Sequence, residues 1–525
     1  MEEKIRQVIG REAVIRRPLP AFGDYAVYGG AEAEALAEKV RQGLGGDAAK
    51  VEVAKGFVNI TLSPEAVALA IAEANTKGAD WGKGILEDGK RVMVEYSNPN
   101  AFKEMHVGHL VGTIVGESLS RLIENEGAEV ARDTFGGDVG PNVAKALWAL
   151  RKRGASGIAS AVDLGEAYAE GSHAYESDEA AKREIDEINQ AIYRNDDPEL
   201  MALWQKGREV SMEEFRRIWR ILGTHFDFEL FDSDTIESGL RLVRDGLAKG
   251  IFEKSDGAII YNGEGKGVHT MVFITSHDTP TYEAKDVGLA FLREERWPSD
   301  KVIIITGNEQ TGRFRTVLAA LAELAPHLAK KTTHIATGFL KLAGGKMSSR
   351  EGNVITAAEL IKDVMAKAGE KNPDPLIAEQ VAIGAIKYMV LRQAPGQDII
   401  FDPEKSLSLE GDSGPYLQYA LVRAKKILTY GETGEDGTDT PPAPYAIERL
   451  ILHYPEVVAR ATRALAPSTL VTYLTELAGE WNAFYAQEQV LGSPEEAYKQ
   501  RVTRAFANTM ENGLTLLGIP APDKM

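Results

Sequence analysis

The stretch from Arg91 to Thr134 constrains the chain most. Arg91–Tyr96, RVMVEY, is a short apolar run of the kind that forms a strand buried on both faces. The loop SNPNAFKEMHVGH follows, and after it Val111, Ile114, Val115, Leu119, Leu122 and Ile123 recur at helical spacing. Gly127 stops that helix, and Glu129–Thr134 reads as the next strand. In a strand, glycine-containing loop, helix and strand of this order, a ligand sits where the first strand's carboxyl end meets the helix N-terminus. A Rossmann-like α/β sheet is therefore expected, with its site between Ser97 and His109.

The other segments group around this unit. At 525 residues the chain has room for about three domains, each with a core. Leu36, Val40 and Leu44 give Ala31–Leu44 helical spacing. Val51–Ser63 reads as a hairpin turning at Lys55-Gly56, and a helix follows at Pro64–Ala74. The first 85 residues thus form a small α+β domain, joined to the rest by the Gly-rich, charged stretch Lys77–Lys90. Residues from about 141 to 265 are charged and helical in pattern, as in Ser211–Leu222, and read as a helical insertion between two halves of the nucleotide fold. Strand-like runs return at Met271–Thr275 and Lys301–Thr306, and a helix at Phe314–Ala325. From 403 to 525 the pattern is all-α, broken by a loop at Gly431–Pro444. The catalytic α/β domain is expected over 86–402.

Composition removes several chemistries. With no Cys, disulfides, cysteine nucleophiles and thiolate zinc sites are excluded, and no zinc or other resident metal is expected. Sixty Lys and Arg against 78 Asp and Glu give a net charge of −18, which excludes a basic coat for nucleic acid but not a local basic groove. The start MEEKIRQVIG lacks the apolar core of a signal peptide, and no apolar run approaches the roughly 18 residues of a membrane span. A soluble, cytoplasmic protein is the expectation.

Two motifs carry chemistry. Lys103 and His106-Val107-Gly108-His109 stand at the strand-to-helix junction, where two imidazoles three residues apart can face a bound phosphate. Gly108 would let a nucleotide's base or ribose approach the backbone. Far downstream, Gly344-Gly345-Lys346-Met347-Ser348-Ser349 places a lysine and two hydroxyls on a glycine-rich loop, able to neutralise a leaving pyrophosphate. Thr356 and Glu359 after it form a capping box for another helix.

HxGH followed by KMSS is the double signature of class I aminoacyl-tRNA synthetases, and the chain resembles their arginyl-tRNA synthetase family over nearly its whole length. Ser97-Asn98-Pro99-Asn100 leading into HVGH, the helical stretch Leu203–Asp227, TPTYEAKDVGLA (Thr279–Ala290), GPYLQYALVRAKKIL (Gly414–Leu428) and the ending NGLTLLGIPAPDKM all resemble it. The resemblance implies ATP-dependent activation of arginine and its transfer to the 3′ end of tRNA, with Mg²⁺ carried by ATP. It implies catalytic roles for His106, His109 and Lys346, and ATP contacts from Lys103, His106, Gly108, His109, Lys346, Met347, Ser348 and Ser349. The family's arginine pocket maps to Asn100, Glu129, Tyr282, Asp286 and Gln310. Carboxylates such as Asp286 suit a planar guanidinium. A monomer is expected, with arginine, ATP and tRNA as partners.

Some positions depart from the family. Thr134-Phe135-Gly136-Gly137-Asp138-Val139-Gly140 lacks the family's amide at Thr134, and Arg313-Phe314 replaces a His-Phe pair. In residues 403–525, 11 Lys and Arg face 16 Asp and Glu, too acidic for a broad electrostatic platform. Stacking by exposed aromatics needs few charges. The tRNA-contact candidates are Tyr416, Tyr419, Trp481 and Tyr485, the basic pair Lys425 and Lys426 beside Arg423, and the terminal Met525. Two other classes of protein share part of this pattern. A nucleotidylyltransferase would share HxGH but needs no helical tail, and a non-catalytic tRNA-binding relative would more often have lost signature residues.

Overall fold

The computed structural model describes residues 1–10, 14–154, 158–343, 355–430 and 443–525. Helices α1 (Glu2–Ile9), α2 (Ala33–Leu44) and α3 (Pro64–Lys77) pack with strands β1 (Ile15–Arg16), β2 (Tyr25–Tyr28), β3 (Ala48–Ala54) and β4 (Phe57–Leu62) in the N-terminal unit. Its antiparallel sheet runs β1-β2-β4-β3. The β3–β4 hairpin turns at Lys55-Gly56, both at positive φ, which matches the right-handed strand twist. Val58, Ile60 and Leu62 alternate inward against Ala37, Val40 and Leu44 of α2.

The central sheet is parallel, in the order β12-β11-β5-β6-β7. Its strands are β5 (Arg91–Glu95), β6 (Glu129–Gly136), β7 (Phe228–Phe231), β11 (Lys301–Gly307) and β12 (Thr332–Thr337). The apolar run at β5 is explained by its two faces. Val92 and Val94 join one core with Leu110 and Ile114 of α4 (Val107–Asn125), while Met93 joins another with Phe314 of α11 (Thr311–Leu324). β5 lies between β6 and β11, where successive crossovers diverge and a crevice opens at the carboxyl ends of the strands.

The expected 141–265 insertion is helical only in part. It begins with α5 (Pro141–Arg153), α6 (Ala161–Ser177), α7 (Glu179–Arg194) and α8 (Pro198–Ile221). The chain then re-enters the parallel sheet as β7, pairing Asp133 with Phe228. After α9 (Ile236–Ala248), strands β8 (Glu253–Ser255), β9 (Ala258–Tyr261) and β10 (Met271–Ile274) form a separate antiparallel sheet, so the Met271 run is not a strand of the nucleotide fold. Four-residue strands give too short a pattern to tell one sheet from another.

Beyond α10 (Tyr282–Arg296) and α12 (Pro326–Lys331) come β13 (Leu340–Leu342), α13 (Ala357–Lys371), α14 (Pro375–Leu391), β14 (Ile399–Phe401) and α15 (Pro403–Ser406). The C-terminal bundle is α16 (Gly414–Tyr430), α17 (Ala446–Ile451), α18 (Tyr454–Arg463), α19 (Ser468–Gln487) and α20 (Glu496–Leu516). Most of the expected Gly431–Pro444 loop lies outside the described residues. One continuous apolar core runs from Val92 in the sheet through Ile386 to Trp481 and Phe506 in the bundle. Lys387, fully buried, donates to the carbonyls of Leu222 and Gly518 and so ties the insertion to the chain's end. Among the described residues no helix is long and apolar enough to cross a membrane.

Candidate active site

His106 is the N-cap of α4. Its Nδ1 accepts the Gly108 N–H at 3.0 Å, and His109 Nδ1 faces the His106 N–H at 3.4 Å in a reciprocal capping box. With Nδ1 accepting, each neutral ring carries its proton on Nε2 as a free donor. Partial desolvation at the helix end holds His106 below the ordinary imidazole range, with Glu309 opposing the shift and the nearby Lys103 charge adding to it. Burial, His106 and Lys103 hold His109 well below it. A Cβ at Gly108, which is exposed, would meet His106 Cε1 at 2.9 Å, so the glycine leaves room for the ring of the residue that caps its helix. Lys103 Nζ lies 4.0 Å from the ring centre of Tyr168 on α6, which brings the insertion to the site.

Lys346, Met347, Ser348 and Ser349 lie outside the described residues. The segment that follows them is placed: Val107 N–H donates to the Ile355 carbonyl at 3.2 Å and Ala357 N–H to that of Met105 at 2.7 Å. His106 and Thr356 form an isolated antiparallel bridge. The capping box of Thr356 and Glu359 is formed and starts α13 there. Backbone pairing thus joins the first signature to the described segment that follows the second in sequence.

The loop after β5 is held in an unusual conformation. Ser97, Asn98 and Phe102 all have positive φ, which non-glycine residues adopt rarely and mostly at functional sites. The insertion supplies the restraint: Trp219 Nε1 donates to Ser97 Oγ at 2.9 Å, and Phe102 N–H to Ser211 Oγ at 2.9 Å. At the departure Thr134, Oγ1 accepts from Asn98 N–H at 3.2 Å, so a hydroxyl braces the loop there. Val139 is buried in the insertion's core.

Four of the five residues expected to form the arginine pocket lie around the sheet's carboxyl edge. Asn100 follows β5 and lies against Gly137, where a Cβ would sit 2.2 Å from Asn100 Oδ1. Tyr282 and Asp286 are one turn apart on α10, and Gln310 caps α11. Gln310 and Asp286 are bridged by Arg313. Burial pushes the Asp286 carboxyl up to about 6, with Arg313 opposing the rise. Glu129 is not among them. The parallel register pairs it with Arg91 at the amino end of β6, where it is exposed and lies 3.3 Å from the Arg91 guanidinium. The buried acid on this side is Glu95, which lines one cavity with Asp286 and is bound by Arg293 and by Asn98 Nδ2 at 2.7 Å. Arg293 also holds Asp133, at 2.6 Å. The apolar run RVMVEY hides Glu95 from a reading by hydropathy; the signal for it is an acid at the carboxyl end of a buried strand. Asp232, buried with Lys285 at 2.6 Å, belongs to no motif that singles it out in the sequence.

In the bundle, Trp481 is fully buried and stacks on Phe506 with centroids 4.5 Å apart, so it is a core residue and not an exposed platform. The Tyr416 hydroxyl accepts from Asn482 Nδ2 at 3.0 Å. Arg423 lies 3.8 Å from the ring centre of Tyr485 and 5.5 Å from that of Tyr419. Lys425 is engaged by Glu511 at 2.7 Å and Asp523 at 3.7 Å, whereas Lys426 is exposed. Met525 is half-buried.

A parallel sheet with its crevice at β5 and β11, an HxGH helix start, and a helical bundle at the C-terminus define a class I aminoacyl-tRNA synthetase. Residues 74–403 match the family "tRNA synthetases class I (R), catalytic domain", and residues 417–525 match the "DALR anticodon binding domain". Arginine–tRNA ligase of Streptococcus mutans is 31% identical over 501 residues, covering 91% of this chain and 88% of that protein. The solved Thermus thermophilus arginyl-tRNA synthetase superposes with a TM-score of 0.83 at 26% identity, over 100% of this chain and 99% of that one. The Plasmodium falciparum enzyme's structure shares the fold, with a TM-score of 0.80 at 20% identity. The chain belongs to the arginyl-tRNA synthetase family.

Proposed function

We propose that this chain joins arginine to the 3′ end of its tRNA in two steps at the crevice of β5 and β11. In the first, the arginine carboxylate attacks the α-phosphorus of ATP in line and pyrophosphate leaves, so no general base is required. His106 and His109 donate from Nε2 to phosphate oxygens as charge shifts onto them, at a helix N-terminus that favours anions. Lys103 and Gly108 complete the nucleotide's surroundings. Lys346, with Met347, Ser348 and Ser349, is assigned the leaving pyrophosphate, and Mg²⁺ accompanies ATP as part of the substrate. In the second step a tRNA hydroxyl attacks the adenylate's carbonyl carbon and AMP leaves.

Asn100, Tyr282, Asp286 and Gln310 are read as the arginine pocket, with Glu95 and not Glu129 as its further carboxylate. Residues 1–85 and the bundle are read as tRNA-contacting, the latter through Arg423, Tyr419, Tyr485 and Lys426. The observation that carries the reading is the bridge between His106 and Thr356, which supports convergence of both signatures on one phosphate chain. Charging of total tRNA with radiolabelled arginine tests it: ATP-dependent label on tRNA is expected. A tRNA-binding protein without catalysis would leave the tRNA unlabelled.

A further inference from the structure

Asp286, read above as the partner of a substrate guanidinium, already has one. Nη1 of Arg313 donates to Asp286 Oδ2, and Nε of the same guanidinium donates to Gln310 Oε1 at 2.8 Å. Both members of the ion pair are largely enclosed, with side-chain exposures of 20% for Arg313 and 11% for Asp286. A guanidinium that spans two residues of a guanidinium pocket has the chemistry of the substrate's own side chain.

The surroundings explain why a cation rests there. Glu95, Glu283 and Asp232 all act electrostatically on Asp286. Glu95 is held by Arg293 and Asp232 by Lys285, deep in the fold. Asp286 instead takes its partner from the first turn of α11, on a long side chain that is the more exposed member of the pair. Arg313 stands where the family's His-Phe pair would place an imidazole, so a titratable group has given way to a permanent cation.

We propose that Arg313 is a resident counterpart of the substrate side chain: its guanidinium holds Asp286 and Gln310 while the pocket is empty and must release Asp286 before an arginine can pair with it. This rests on the arginine-pocket reading given above. A second guanidinium brought to Asp286 with Arg313 still in place would lie beside a like charge where water screens poorly. Binding is therefore an exchange. The apparent dissociation constant is the intrinsic one divided by the fraction of molecules in which Arg313 has let go. For a charge-assisted hydrogen bond that fraction is about one tenth or less. Arg313 thus sets the arginine concentration at which the enzyme fills, and keeps a buried carboxylate paired in the meantime.

The test is calorimetric titration of L-arginine into the full chain at pH 8.5, chosen to keep Asp286 ionised. Arg313→Gln is expected to bind arginine roughly tenfold tighter than the wild type. Arg313→Lys, which retains a point charge but cannot span Asp286 and Gln310, is expected between the two. Unchanged or weaker binding by Arg313→Gln would overturn the exchange and make Arg313 inert or an aid to the substrate. Asp286→Asn separates this from failure of the pocket itself: normal arginine binding in that variant removes the pocket reading, whereas lost binding leaves it standing. Thermal unfolding gives a second measurement should Arg313→Gln be unstable. The rise in Tm produced by saturating arginine is expected to be larger in the variant than in the wild type, and a smaller rise counts against the exchange.

Discussion

The imidazoles of His106 and His109 stack with their ring centroids 3.7 Å apart and their planes 21° from parallel. Two imidazolium ions would repel at that distance. Desolvation and Lys103 favour the neutral form of both rings, and the capping box turns both Nδ1 atoms to backbone N–H groups. The empty site therefore presents two uncharged Nε2 donors. An arriving polyphosphate favours the protonated forms, so ATP binding near pH 6 should take up protons. Calorimetry in buffers of different ionisation enthalpy reads this directly, and the uptake should vanish in His106→Asn/His109→Asn. Without ligand the sign is opposite. Below about pH 6.5 the unfolded chain binds protons that the folded rings resist, so these residues lower stability as the solution is acidified.

Single replacement of His106 or His109 by Ala should lower kcat by about 10²–10³, with little change in the KM for arginine, because the lost donors act on charge that develops in the transition state. Wild-type charging rates in both variants would remove the phosphate role from this motif.

Asp286 should give arginine binding an acid limb. Its carboxyl is pushed up to about 6 by burial, and the neutral form cannot pair with a guanidinium. Arginine affinity is expected to hold between pH 7 and 8 and to fall as the pH drops through 6, while Asp286→Ala loses on the order of 2–5 kcal/mol of arginine binding at neutral pH. An arginine dissociation constant that stays flat from pH 5 to 8 would take the carboxylate out of the pocket.

Removal of residues 403–525 should leave no folded remainder. The sheet and the bundle share one apolar core, Ser118 donates to the Leu516 carbonyl at 3.1 Å, and Lys387 donates to those of Leu222 and Gly518. Exposure of that core should give aggregated or non-cooperatively unfolding material. A truncated protein that stays soluble, unfolds cooperatively and binds ATP would show that the two parts fold independently.

Lys425 and Lys426 should differ, although they are adjacent. Lys425 is paired with Glu511 and Asp523, so Lys425→Gln should leave the salt dependence of tRNA binding almost unchanged. Lys426→Gln should reduce the slope of log K against log salt by roughly 0.7–0.9, the loss of one phosphate contact. Titrations of tRNA at several salt concentrations compare them, and parallel lines for wild type and Lys426→Gln would mark a merely solvated helix face.

Trp481→Ala should act on stability before it acts on tRNA. Truncation of a buried aromatic leaves a cavity beside Phe506 that costs about 3–5 kcal/mol. Urea unfolding measures this loss, and a variant as stable as the wild type but weak in tRNA binding would return Trp481 to the anticodon surface.

What the sequence determined by itself was local or repeated along the chain. Helix spacing at Leu36, Val40 and Leu44, the Lys55-Gly56 turn, the buried strand at Arg91 and the Thr356–Glu359 cap depend on neighbours within a few residues, and each is formed where expected. The HxGH and KMSS pair carried the family for the same reason: its chemistry is written in contiguous residues. Tertiary structure decided what depends on direction and distance. Strand register placed Glu129 at the far end of β6 and Glu95 toward the crevice, although both are acids on adjacent strands. Helical spacing could not tell Trp481, sealed against Phe506, from Tyr485, exposed under Arg423. Nor could any pattern bring Arg313 to Asp286, since an ion pair between two helices exists only once the sheet beneath them has set their separation.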